Sequence, residues 1–172
     1  MRSTGMAAVC VAFACASSVA SARPERLPAP ITLYGVAGVR PGMTPADVAA
    51  RWGVEADTPG PGFNGCTGAQ FRVGRLHVIA LFEQHVFSMA SFDGDAHTGN
   101  GIRVGSTVRQ LRRAYGTRLS SRRQPYASPG TLDYFVRKPS RPYAWLYFSI
   151  AHGAVRTISY GNRAVFYEEG CA

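Results

Sequence analysis

Residues 143–150 alternate in character. Ala144, Leu146, Phe148 and Ile150 are apolar, and Tyr143, Trp145, Tyr147 and Ser149 fall between them. Successive side chains of a strand point to opposite faces. This period of two therefore predicts a strand with one apolar face and one face of amphipathic rings. Similar runs, broken at Gly74-Arg75, Gln84-His85 and Ala151-His152-Gly153, predict strands over about 69–73, 76–83, 86–92, 132–137, 144–151 and 154–160. The apolar set of 143–150 is expected to face the helices. The aromatic set is then left for the other side of the sheet, where a ring packs while its O–H or N–H reaches water.

Helical spacing appears in two places, and they match. Residues 38–53 read GVRPGMTPADVAARWG, and residues 101–116 read GIRVGSTVRQLRRAYG. Thr44 and Thr107 suit an N-cap, with Asp47 and Gln110 three positions on, as a capping box requires. Pro45 suits the first helical position. Val48 and Trp52, like Leu111 and Tyr115, are four apart and share one face. Gly53 and Gly116 supply stops. Helices this short do not persist alone and must lie on the strands that follow.

These patterns predict an α+β fold: a tandem repeat of a short helix followed by a three-stranded antiparallel meander, with the helices packed on one face of the sheet. The expected divisions are a signal peptide (1–22), an N-terminal lead-in (23–35), repeat 1 (36–98) and repeat 2 with a C-terminal tail (99–172). Ile31–Tyr34 is expected as a short edge strand, and 54–68 and 117–131 as loops.

The leader changes the setting. Arg2 precedes a short apolar run over 6–16, and Ala20-Ser21-Ala22 fits a cleavage site, so the expected chain is periplasmic or secreted after cleavage near Ala22. Lipid anchoring at Cys15 is the alternative; Ala12-Phe13-Ala14-Cys15 lacks the branched apolar residue usual three positions before such a cysteine. No later stretch is long and apolar enough for a membrane helix. With Cys10 and Cys15 in the leader, Cys66 and Cys171 remain, and an oxidising compartment favours a disulfide between them.

Charge is lopsided. Residues 23–102 hold six arginines against seven acids, whereas 103–172 hold eleven arginines and Lys138 against three acids. Such a basic half favours an acidic surface: anionic lipid, lipopolysaccharide or an acidic protein. Nucleic acid is a poor partner for an exported chain.

The order helix, three strands, helix, three strands, with G-[VI]-R-x-G-x-T before each helix, resembles BamE (the SmpA/OmlA family) and the secreted β-lactamase inhibitory protein. The sequence is most similar to a family of exported bacterial proteins with G-I-R-V-G-x-T…A-Y-G, here 101–107 and 114–116, a cysteine at Cys66, and an aromatic-x-E-G-C ending, here Tyr167 to Cys171. The resemblance implies a two-unit envelope or secreted fold, and the inhibitor's use of a concave sheet implies recognition through a sheet face.

No arrangement in the sequence commits to a reaction. G-x-S-x-G, H-E-x-x-H, C-x-x-C and a phosphate-cradling G-x-x-x-x-G-K-[ST] are all missing. His77, His85, His97 and His152 are scattered, and Asp93-Gly94-Asp95 reads as a turn. No catalytic residue, metal site or cofactor is therefore expected. Two surfaces remain. One is a candidate protein-binding face of Tyr143, Trp145, Tyr147 and Arg156; rings and arginine anchor interfaces, although the same rings also serve as cross-strand pairs. The other is a candidate anionic-surface patch of Arg109, Arg112, Arg113, Arg118, Arg122 and Arg123, a set that equally suits a solvated helix face. The leading expectation is a non-catalytic exported protein that binds another protein. The alternatives are association with anionic lipid or lipopolysaccharide, and inhibition of a secreted hydrolase such as a β-lactamase.

Overall fold

Each alternating run forms a strand and each capped stretch a helix. The computed structural model describes residues 27–54, 65–124 and 130–166, the side chains of 141–143 excepted. Along the chain come α1 (Pro45–Trp52), β1 (Cys66–Val73), β2 (Leu76–Glu83), β3 (Val86–Asp93), α2 (Val108–Tyr115), β4 (Ser120–Arg123), β5 (Leu132–Lys138), β6 (Arg141–Ala151) and β7 (Ala154–Gly161). A 3-10 turn, Gly116–Arg118, follows α2, and a 3-10 helix, Arg163–Phe166, follows β7. The expected leader, its cleavage site, Cys15 and Cys171 lie outside the described residues.

The two helix starts are built alike. The Thr44 hydroxyl accepts from Asp47 N–H at 3.2 Å, and the Thr44 N–H donates to the Asp47 carboxylate. Thr107 and Gln110 repeat both bonds, at 3.3 and 2.7 Å. Before each helix a glycine with positive φ, 93° at Gly42 and 86° at Gly105, turns the chain. Its N–H donates to a strand carbonyl, Phe87 at 2.8 Å or Val155 at 2.7 Å. Each short helix is thereby tied to a strand before any side chain packs.

The expected architecture is corrected here. The strands do not form two helix-and-meander units. Among the described residues they form one continuous antiparallel sheet of seven strands in the order β1-β2-β3-β7-β6-β5-β4, accompanied by two short α-helices. Two features overturn the tandem reading. The second half contributes four strands, because the polar stretch Ser120–Arg123, expected as loop, pairs with Leu132–Phe135. The two halves also share one sheet through β3 and β7, where Met89–Phe92 pair with Ile158–Gly161. The physical reason is the exposed edge: separate meanders would leave β3 and β7 with open backbone groups, and pairing them removes both edges. What recurs is local, the glycine turn and the capped helix. Ile31–Tyr34 is not a strand either; Ile31 makes a single parallel bridge to Thr98 and is buried, as is Leu27.

The helix face of the sheet carries most of the core. Trp52 is 1% exposed, donates its indole N–H to the Val36 carbonyl at 2.9 Å, and meets Phe71, Phe87 and Phe92 edge-on. On α2, Leu111 and Tyr115 are buried, and Tyr115 packs on Phe148 with ring centres 5.5 Å apart. A smaller cluster occupies the opposite face: Leu81, Met89, Tyr147, Ala164 and Val165, with Phe135, Trp145 and Phe166 against them.

The joint tolerates no side chain at Gly161. A Cβ there would fall 2.3 Å from the Ser88 carbonyl oxygen and 2.5 Å from Met89 Cα. Gly161→Ala is expected to destabilise by about 2–3 kcal/mol through forced backbone shifts. Thr107→Ala, which removes one cap, should cost about 1 kcal/mol. Urea unfolding checks the order, and an alanine at 161 as mild as the cap loss would contradict it. The Thr44 hydroxyl and then the Thr44 N–H hold the Asp47 carboxyl below its ordinary range. Its contribution is therefore present above the unfolded pKa and lost as pH falls through the depressed folded value. Asp47→Asn should flatten the acid limb of a stability–pH profile relative to the parent.

Candidate functional site

On the face away from the helices, two strands and the 3-10 helix after β7 deliver rings to one place. Phe135 of β5 lies opposite Tyr147 of β6, and Trp145 is two residues along β6 from Tyr147. Beyond β7 the chain turns at Asn162, whose side-chain oxygen accepts from Ala164 N–H at 2.7 Å. That turn brings Phe166 back over the sheet. Its ring meets Trp145 (5.0 Å), Phe135 (5.4 Å) and Tyr147 (5.5 Å) at nearly right angles.

Cations surround this cluster. The Arg122 guanidinium lies 5.1 Å from the centre of Phe166, and Arg137 lies 5.9 Å from that of Trp145. Lys138 donates to the Tyr34 hydroxyl at 2.8 Å and sits 4.2 Å over its ring. With Arg163, these residues line a groove of about 610 Å3 whose floor is Phe135, Trp145 and Phe166. Among the described residues its lining contains no carboxylate, histidine or cysteine. The groove can attract anions and pack apolar or planar groups.

A larger cavity of about 980 Å3 lies further along the same face. Ser91, Ser149, Thr157 and Ser159 line it, with Arg156 and Asp133. The Ser91 and Ser159 hydroxyls bond at 2.8 Å across the β3–β7 joint. Asp133, 1% exposed, accepts from the Ile150 N–H at 2.8 Å, and also from the Tyr147 hydroxyl and the Gln124 amide. Three donors converging on one buried carboxylate tie β5 to β6 and to the end of β4. Its acceptors are taken up structurally.

The residues expected from sequence are distributed as follows. Trp145 is half-buried in the groove floor. Tyr147 shares its face but is buried beneath Phe166, its hydroxyl committed to Asp133. The expected open aromatic face is therefore covered in part by the 3-10 helix. Arg156 does not join it: Trp145 pairs with Gly161, five residues along β7, roughly 16 Å away at strand spacing. The side chain of Tyr143 lies outside the described residues. The arginine patch also divides. Arg109 and Arg113 are exposed on α2, Arg112 stacks on Tyr134 and donates to its hydroxyl, and Arg118 lies over Tyr115. Arg122 and Arg123 are neighbours on β4 and point to opposite faces, so Arg122 alone reaches the groove. Cys66 is in a disulfide, whereas its expected partner Cys171 lies outside the described residues.

Phe135, Phe166, Arg137, Lys138 and Arg163 were not legible as site residues. The alternation of Phe135 and Arg137 along β5 was an available signal; the return of Phe166 over the sheet was not. The four histidines remain apart, His85 and His152 occupying hairpin turns with φ of 64° and 51°. Among the described residues no three metal-ligating side chains gather, and no helix is long and apolar enough to cross a membrane.

No known protein family and no curated protein matches the chain. Among solved structures it is similar to a cysteine-rich secretory protein from Staphylococcus aureus, with 12% identity and a TM-score of 0.49 over 80% of this chain and 49% of that one. It is also similar to an extracellular protein containing an SCP domain from Bacillus anthracis, with 11% identity and a TM-score of 0.49 over 74% of this chain and 46% of that one. The chain thus spans about half the length of each. Neither is BamE or the β-lactamase inhibitory protein, no family model matches, and one seven-stranded sheet replaces the two expected units, so the kinship expected from the glycine-turn motif is corrected. That motif encodes a tight turn and a capped helix, a local solution that unrelated sheets can share.

Asp133→Ala would strand the Ile150 N–H, the Tyr147 hydroxyl and the Gln124 amide. It should cost about 3 kcal/mol, against about 1 kcal/mol for Tyr147→Phe, which removes one donor and leaves the carboxylate two. Equal losses in chemical denaturation would contradict the network.

Proposed function

We propose that this chain is an exported, non-catalytic protein that binds another protein through the face of the sheet opposite its helices. Export rests on the leader, with its Arg2 n-region and the Ala20-Ser21-Ala22 site. A bridge between Cys66 and Cys171 fits the same compartment. The observation that carries the binding reading is the groove, where half-buried rings form a floor and four cations form the rim. Aromatic and arginine side chains dominate the energetics of protein interfaces, because they bury large areas while keeping a polar handle. The groove's rings and cations are the groups that recognition uses, and this supports a binding role.

The test is capture of partners from cell-envelope extract by the mature protein and by Trp145→Ala. The variant should retain its circular dichroism and lose its partners at least tenfold. An unchanged set of partners from a folded variant would sink this reading.

A further inference from the structure

We infer that α2 and the segment after it form a docking surface for the phosphate headgroups of an anionic lipid bilayer. This surface lies on the helix side of the sheet and does not depend on the groove.

The two helices match position by position, and the match isolates the charge. α1 carries Ala46, Ala49 and Ala50 where α2 carries Arg109, Arg112 and Arg113. α1 also places its charges as a helix prefers, with Asp47 in the first turn and Arg51 in the last. α2 has no acid in its first turn; Arg109 stands there instead, four residues from Arg113 on the same side. Both choices work against the helix, and α1 shows that the capped helix forms with alanine at these positions. The arginines of α2 therefore suit something outside the chain.

Five cations share this side. Leu111 and Tyr115 are buried, which leaves Arg109 and Arg113 turned to solvent. Arg112 is held over the Tyr134 ring at 5.7 Å and Arg118 over the Tyr115 ring at 5.9 Å. Arg123 of β4 pairs with Leu132, which packs against the helix-side core, so its side chain lies on that face too. All five are exposed. Between residues 103 and 166 the sequence holds a single acid, Asp133, and it is buried with its oxygens taken up. Among the described residues the ion pairs are Arg75–Asp95 and His77–Asp93, and neither involves these arginines. Charge of one sign over an exposed helix and its flank attracts a surface of the opposite sign. Neither cavity described above is lined by any of the five, so the patch suits a broad surface and not a small anion held in a pocket. Nucleic acid offers similar phosphates, but its bases stack on exposed rings, and here Tyr115 and Tyr134 are only 5% and 7% exposed beneath the guanidiniums. The leader read from the sequence agrees, since an exported chain meets lipid headgroups on its way out. Docking by the helix side leaves the groove free on the other face.

Co-sedimentation of the full mature chain with vesicles is the test. Phosphatidylcholine vesicles carrying about 30% phosphatidylglycerol should bind it and pure phosphatidylcholine should not, and binding should weaken several-fold between about 50 and 300 mM salt. Arg109→Ala with Arg113→Ala, the residues that α1 carries, should keep the circular dichroism and lower binding at least tenfold. Arg109→Gln with Arg113→Gln keeps more of the side-chain length and should lower it at least fivefold. Arg72→Ala with Arg156→Ala removes the same charge from β1 and β7 and should lower it less than threefold. Equal binding to both kinds of vesicle, an equal loss from the β1 and β7 pair, or folded α2 variants that bind as the parent does would overturn the inference. So would tighter binding to a single-stranded oligonucleotide than to the anionic vesicles.

Discussion

Four residue pairs hold the two halves of the chain in one sheet: Met89–Phe92 of β3 against Ile158–Gly161 of β7. The backbones approach so closely that position 161 admits no side chain, and the hydroxyls of Ser91 and Ser159 meet across the joint. Every other feature of the fold follows from closing this edge. Without it, each half would expose a hydrophobic strand to solvent and to other chains. With it, the sheet gains a continuous helix face and a continuous opposite face. Only then can residues from β4, β5, β6 and the segment after β7 meet.

The two faces are used differently. Opposite α1 and α2, phenylalanines and an indole fill the space, with Trp52 at the centre of one half and Tyr115 against Phe148 in the other. On the other face the central positions are small and polar, Ser91, Ser149, Thr157 and Ser159, and the rings are confined to one end. Burial of Asp133 fixes the boundary between these regions, because its three donors leave β5 and β6 little freedom to shift. A rigid floor with cations around it loses little entropy on binding, which is the condition for a small groove to be effective.

Much of the local structure was legible in the sequence. The threonine caps, the glycine turns and the alternation over 143–150 each report a short-range constraint, and the structure places each where its chemistry requires. The sheet order was not legible, since it depends on which edges meet, and edge pairing leaves no mark at a fixed spacing. β4 was hidden for a related reason: Ser120-Ser121-Arg122-Arg123 has no apolar alternation, and only its neighbour makes it a strand. The groove was half legible. Trp145 announced itself by period, but Phe166 reaches it through the turn at Asn162, and Arg156 was grouped with it by sequence proximity that the β6–β7 register undoes. The family resemblance failed because a turn-and-cap motif describes sixteen residues and says nothing of how the sheets around them join.

Proton NOE contacts on the isotope-labelled mature protein test the joint most directly. Cross-strand contacts between Ser91 and Ser159 and between Phe92 and Ile158 are expected, together with contacts from the Phe166 ring to Phe135 and Trp145. Intact hairpins within each half, with no contact from β3 to β7, would contradict the account.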